Sequence, residues 1–124
     1  MWCDSPIHNR IKEKIVKSTE QDTVHIFRSM NNTSRVFKNK VSEEVVSIEQ
    51  QPGSKFEDVR ELVSGARGRK VYETGDPEYG IWSLGLSVGL IRDIPTCEEL
   101  LRRLEKEAEE MMSLRLNLKV KAKL

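Results

Sequence analysis

Cysteine is scarce in this chain. Cys3 and Cys97 are its only two, far apart and without a CxxC pattern, which excludes a disulfide scaffold and a thiolate metal site. Aromatic residues are 6% of the 124 positions, a thin supply for the centre of an independently stable core. Neither sign of charge dominates, since 21 Lys and Arg stand against 20 Asp and Glu for a formal charge of +1. That balance excludes a nucleic-acid binder held by bulk charge. The longest apolar run, residues 81–91, has about half of the ~20 residues that span a bilayer. Met1-Trp2-Cys3-Asp4 lacks the basic start and apolar stretch of a secretory signal. The expectation is a cytoplasmic protein with no nucleic-acid and no membrane partner, in which the overlapping sequons at Asn31 and Asn32 carry no sugar.

What is present is mostly helical in period. Ser5-Pro6 reads as a helix start, followed by Ile7, Ile11 and Ile15 on one stripe. Residues 22–29 are richer in β-branched and aromatic types and suit a short strand, with a turn at Asn31-Asn32. From Ser34 the helical period returns through Phe37, Val41, Val45 and Ile48, although residues 22–40 also fit an all-helical path. Ser54 and Glu57 match a capping box for a helix burying Phe56, Val59 and Val63, with Gly65 as its terminator. Residues 66–72 suit a further short helix before the turn at Gly75-Asp76-Pro77. The run 81–91, with Gly85 and Gly89 four apart, predicts a buried helix or turn packed closely on another backbone. Thr96 and Glu99 form a second capping box, and Leu100, Leu104, Ala108 and Met111 make the stripe of the last helix. Past residue 116 the alternating lysines predict a frayed basic tail. The fold class expected is mainly α with at most a short β element.

Chemistry-bearing patterns are few. His8 and His25 stand in no ligand spacing, so His8 reads as a surface or capping residue and His25 as facing solvent or a polar seam. Cys97 lies near a helix N-terminus, a position that lowers a thiol pKa, but no base is near it in sequence. Arg28, Arg35 and Lys38 gather around the Asn31-Asn32 turn, and Arg67, Arg69 and Lys70 follow Gly65. Either group can meet a phosphate or another anion, or simply form a solvated face. These residues point to no catalytic group and no metal ligand.

A family resemblance adds more. Ser5-Pro6-Ile7-His8, Asp22-Thr23 and the stretch from Arg28 through Asn31-Asn32 to Arg35-Val36 resemble the later part of the nitronate monooxygenase family, the 2-nitropropane dioxygenase-like proteins. Gly75-Asp76, Gly80-Ile81-Trp82-Ser83 and the ungapped block from Gly85 to Leu100 extend the match to about Met112. The resemblance implies the C-terminal part of an FMN-binding TIM barrel. Residues 1–4 are then unmatched, 5–80 a small helical inserted domain, 81–116 a barrel-closing segment and 117–124 a basic tail. It implies flavin contact at Ser83 and Gly85. It also implies that the flavin phosphate loop and the catalytic histidine precede this sequence, and Leu86 stands where many relatives have Gln. FMN is thus the parent family's cofactor, supporting oxidation of alkyl nitronates with oxygen. The chain alone is expected to bind none and to be inactive. Its expected partner is the missing N-terminal barrel half, or a second copy through apolar helix faces. The alternative is a non-catalytic helical interaction module, which exposed rather than covered Ile7, Ile11 and Ile15 would favour.

Overall fold

The computed structural model describes residues 4–121, with side chains described as far as Leu114. It is mainly helical with one small two-stranded sheet, and it divides into two compact units. One unit is Pro6–Asp93; the other joins Asp4 and Ser5 to the segment from Ile94 onward. No helix among the described residues is long and apolar enough to cross a membrane.

In the larger unit, α1 spans Asn9–Lys17 and begins three residues after Pro6. The reason is a tertiary contact: the His8 N–H donates to the Tyr72 carbonyl at 2.9 Å, with residue 8 at φ −56° and ψ 136°, outside the helix. His8 therefore caps the helix, its Nδ1 accepting the Arg10 N–H at 3.2 Å. Ile11 and Ile15 are fully covered within the chain and Ile7 is half-buried. The stripe of α1 thus needs no outside partner.

Strand β1, Thr23–Ile26, pairs antiparallel with β2, Ser34–Phe37, placing His25 opposite Arg35 and Val24 opposite Val36. The helix expected from Ser34 therefore starts later. Ser34–Phe37 is extended because its partners lie elsewhere in the chain: β1 on one side, and on the other Trp82, whose carbonyl accepts the Phe37 N–H at 3.0 Å. Helix α2 runs Lys40–Glu49, capped by Asn39. Phe37, Val41 and Val45 share a four-residue spacing and are all buried, but the spacing crosses a strand–helix junction. Of the loop joining the strands, Phe27 and Asn31 both take positive φ, 62° and 54°.

Helix α3 is the single turn Phe56–Val59. Its box is shifted by one residue from the expected Ser54–Glu57 pair: the Asp58 carboxylate accepts the Lys55 N–H at 2.8 Å, while Ser54 Oγ donates to the Glu49 carbonyl at 3.2 Å. Phe56 is half exposed, its ring 6.0 Å from that of Phe27. Gly65 does not end a helix; it opens α4, Gly65–Thr74. The core of this region is Ile26, Val36, Val45 and Val59, with Val24, Phe27, Met30 and Val63 packed around it.

Helix α4 ends at Gly75, whose φ of 76° is left-handed. A Cβ there would also run into the His8 imidazole. Gly53 has a similar φ of 80° with open space around it. Gly75→Ala is therefore expected to cost about 2 kcal/mol, roughly half for the left-handed backbone and half for displacing the α1 cap. Gly53→Ala should cost about 1 kcal/mol. Urea unfolding of the two variants checks the difference, and equal costs would show that His8 yields freely.

Residues 81–91 do not form a buried α-helix. Trp82, Leu84 and Val88 point inward, Leu86 and Leu90 point out, and only Leu86–Leu90 is helical, as a 3₁₀ turn. The Glu20 carboxylate, not a backbone, lies against Gly89, and Gly85 has only Ser87 Oγ near its Cβ position, at 3.7 Å.

In the smaller unit, α5 spans Cys97–Lys121. Its capping box forms as expected: Glu99 Oε2 accepts the Thr96 N–H at 2.8 Å and Thr96 Oγ1 accepts the Glu99 N–H at 3.1 Å. Leu104 and Met111 of the expected stripe are exposed, as are Leu101, Met112 and Leu114 beside them. The helix continues to Lys121, past the residue 117 at which fraying is expected. Cys3 and residues 122–124 lie outside the described residues.

Candidate functional site

The segment expected to meet a flavin is the arm that follows α4. Asn39 holds the turn before it: buried at 4% exposure, its Nδ2 donates to the carbonyls of Pro77 at 2.7 Å and Gly80 at 2.9 Å. Trp82 Nε1 donates to the same Pro77 carbonyl at 3.1 Å. The Trp82 ring stacks on Phe37, centroids 4.6 Å apart, and meets Tyr72 edge-on at 6.5 Å. Ser83 then bridges to Val36, which extends the sheet locally beyond β2. Burial pushes the Tyr72 phenol up from its ordinary value, and a hydrogen bond with the Ser83 backbone partly offsets this.

These contacts fix the path of Ser83 and Gly85 and leave both residues exposed. The Gly85 carbonyl accepts the Val88 N–H at 3.1 Å and so starts the 3₁₀ turn. Ser83, Gly85, Leu86 and Ser87 form an exposed edge. Within 4 Å of the position a Gly85 Cβ would take, Ser87 Oγ at 3.7 Å is the one neighbour outside the adjoining residues, so the edge is open on that side. One side of a ligand can rest there. No step of flavin chemistry is assigned to this chain's residues.

The other sequence candidates separate clearly. His8 is spent on the α1 cap. Among the described residues no group of three His, Cys, Asp or Glu is placed to hold a metal. Cys97 is exposed at the start of α5, yet its thiol is pushed up rather than down. Local desolvation leads, followed by the hydrogen bond to Asp4 and the charge of that carboxylate. The same carboxylate accepts the Cys97 N–H at 2.8 Å, so it occupies the position from which the helix terminus would otherwise favour a thiolate. Of the second basic group, Arg67 donates twice to the Tyr79 carbonyl, at 3.1 and 2.9 Å, and Arg69 pairs with Glu73 at 2.6 Å. Lys70 lies over the Tyr79 ring. These cations serve the fold.

The first basic group divides. Lys38 turns to Glu43, 3.8 Å away. Arg28 and Arg35 line one cavity together with His25, beside Thr23, Ser29 and Glu49. Glu49 carries no signal in the sequence; the strand register sets His25 opposite Arg35, and the inter-strand loop and the end of α2 add Arg28, Ser29 and Glu49.

No family model matches the sequence. Solved structures do. The fold is similar to part of a flavin-dependent TIM-barrel oxidoreductase. FabK from Thermotoga maritima shares 28% identity with it at a TM-score of 0.75, over 92% of this chain and 36% of FabK. A point mutant of the same protein gives 27% identity and a TM-score of 0.71, over 92% of this chain and 33% of that one. The chain thus spans about a third of FabK's length. The likeness supports the 2-nitropropane dioxygenase-like proteins in general, not nitronate monooxygenase in particular.

Proposed function

We propose that this chain is the C-terminal portion of an FMN-dependent oxidoreductase of the nitronate monooxygenase type, with an alkyl nitronate as the substrate to test first. The observation that carries the reading is the match of 92% of the chain to about a third of FabK. The flavin supplies the electron transfer when a barrel holds it. This chain's part is structural: Ser83 and Gly85 lie along the flavin's rim, and the exposed stripe of Leu104, Ala108 and Met111 on α5 docks on the barrel half. Docking explains why those side chains remain exposed in a chain with so few large apolar residues.

By itself the purified chain is expected to leave FMN fluorescence unchanged while showing helical circular dichroism. Tight flavin binding by the isolated chain would overturn the assignment of the phosphate cradle to the barrel half. The reading itself is tested by a chimera in which this chain replaces the matched third of Thermotoga FabK. The chimera should stay yellow through gel filtration, and a colourless product would sink the proposal. The alternative of a non-catalytic interaction module loses the support that exposed Ile7, Ile11 and Ile15 would have given, since Ile11 and Ile15 are buried and Ile7 half-buried. What favours it is the exposed α5 stripe, and it predicts self-association by sedimentation, lost on Leu104→Glu.

A further inference from the structure

Between the free edge of β1 and the C-terminal half of α2 lies a cavity of about 500 Å³, within the larger unit. That volume falls in the range of small-molecule sites and exceeds what an inorganic phosphate fills. Its lining is chemically divided. Val24 and Val46 give an apolar wall, and His25, Arg28 and Arg35 supply nitrogen donors, with the hydroxyls of Thr23 and Ser29 beside them. Glu49 is the one carboxylate among the lining residues, and it already accepts a hydrogen bond from Ser29 Oγ at 3.2 Å. Arg35 Nη1 donates to Thr23 Oγ1 at 2.7 Å, which aims the guanidinium across the strand pair. Neither Arg28 nor Arg35 is ion-paired among the described residues, although Arg69 and Arg102 each hold a glutamate at 2.6 Å.

The loop carrying Arg28 is held in a costly shape. Phe27 has φ 62°, a left-handed conformation that a bulky side chain adopts at a cost of about 1 kcal/mol. The conformation is kept by the Phe27 carbonyl, which accepts the N–H groups of Met30 at 3.3 Å and Asn32 at 3.2 Å, and by the contact of its ring with Phe56. Strain retained next to two guanidiniums without carboxylate partners is the pattern of a built binding loop.

We infer that this cavity binds an organic phosphate: a small phosphomonoester whose anionic group meets Arg28 and Arg35 and whose compact apolar or aromatic body rests on Val24 and Val46. Guanidinium suits this task because its planar fork donates to two phosphate oxygens at once. The site lies away from Ser83 and Gly85 and does not depend on the flavin reading.

The test is a titration of the full chain with phenyl phosphate, inorganic phosphate and phenol, followed by heteronuclear NMR. Phenyl phosphate should shift the amides of residues 23–35 and 46–50 and bind about tenfold more tightly than inorganic phosphate, while phenol shifts none of them. Arg28→Ala should weaken phenyl phosphate at least tenfold with the spectrum otherwise intact, since Arg28 is exposed and its side chain has no hydrogen-bond or ion-pair partner among the described residues. Arg35→Lys, which keeps the charge but not the fork, should weaken it by a similar factor. Equal binding of phenol, or unchanged affinity in Arg28→Ala, would overturn the inference. So would co-sedimentation with phosphatidylglycerol vesicles in place of phenyl phosphate binding, because the phosphate would then be a lipid headgroup's.

Discussion

Trp82→Ala is expected to remove about 4 kcal/mol from the Pro6–Asp93 unit, the range for a fully buried large aromatic. Trp82 is 2% exposed, stacks at 23° on Phe37 and meets Tyr72 at 75°, so truncation opens a cavity bordered by two other rings. The stacked and edge-on pairs add to simple burial, and the Pro77 carbonyl loses the indole donor. Phe37 in turn lies under Lys14 of α1, the ammonium 5.3 Å from its centroid, so the loss reaches the first helix. Small domains hold about 5–15 kcal/mol in total, and this one substitution takes a large share of that. Trp82→Phe keeps a ring on Phe37 and loses the indole N–H and some volume, for about 2 kcal/mol. Urea midpoints of the two variants check the order. A cost under about 1 kcal/mol for the alanine variant would mean that the aromatic group is not the organising contact of this unit.

The elements that sequence reasoning located well are those whose signals are local. Gly75 after α4, the Thr96–Glu99 box and the turn at Asn31 depend only on residues within one helical turn of themselves. Strand β2 was not legible because its extended form is imposed by β1 and by residues 82 and 83, far away in sequence. Its last residue, Phe37, shares a period with Val41 and Val45 of α2, so the pattern alone favours a helix from Ser34 onward. The α3 box was displaced by one residue because two candidate pairs overlap, Ser54 with Glu57 and Lys55 with Asp58, and Ser54 is drawn to the Glu49 carbonyl instead. At the cavity, clustering near the Asn31-Asn32 turn identified Arg28 and Arg35. It also included Lys38, which the β2 register and the pull of Glu43 direct elsewhere. Phe27 gave no warning, since aromatic residues are not those that favour positive φ.

Asn39→Ala is expected to cost about 3 kcal/mol, more than a helix cap alone is worth. The side chain does two things at once: Oδ1 accepts the Ser42 N–H at 2.8 Å, and Nδ2 donates to Pro77 and Gly80. The first is a cap worth about 1 kcal/mol. The second satisfies the Gly80 carbonyl and shares the Pro77 carbonyl with Trp82 Nε1, and leaving a buried acceptor unpaired costs about 1–3 kcal/mol. Asn39→Asp separates the two roles. Aspartate caps helices as well as asparagine does, so a capping residue alone would tolerate the change. Here it would replace the amide donor that faces the Pro77 and Gly80 carbonyls with a charged acceptor, leaving Pro77 only its bond from Trp82 Nε1, and the repulsion adds to the lost bonds. Asn39→Asp should therefore destabilise the Pro6–Asp93 unit at least as much as Asn39→Ala at neutral pH. Protonating the new carboxylate restores a donor, so the deficit should shrink as the pH falls. Thermal melts at pH 7 and at pH 4 read this directly, and a melting temperature for Asn39→Asp close to wild type at pH 7 would show that the turn before Ser83 holds without Asn39.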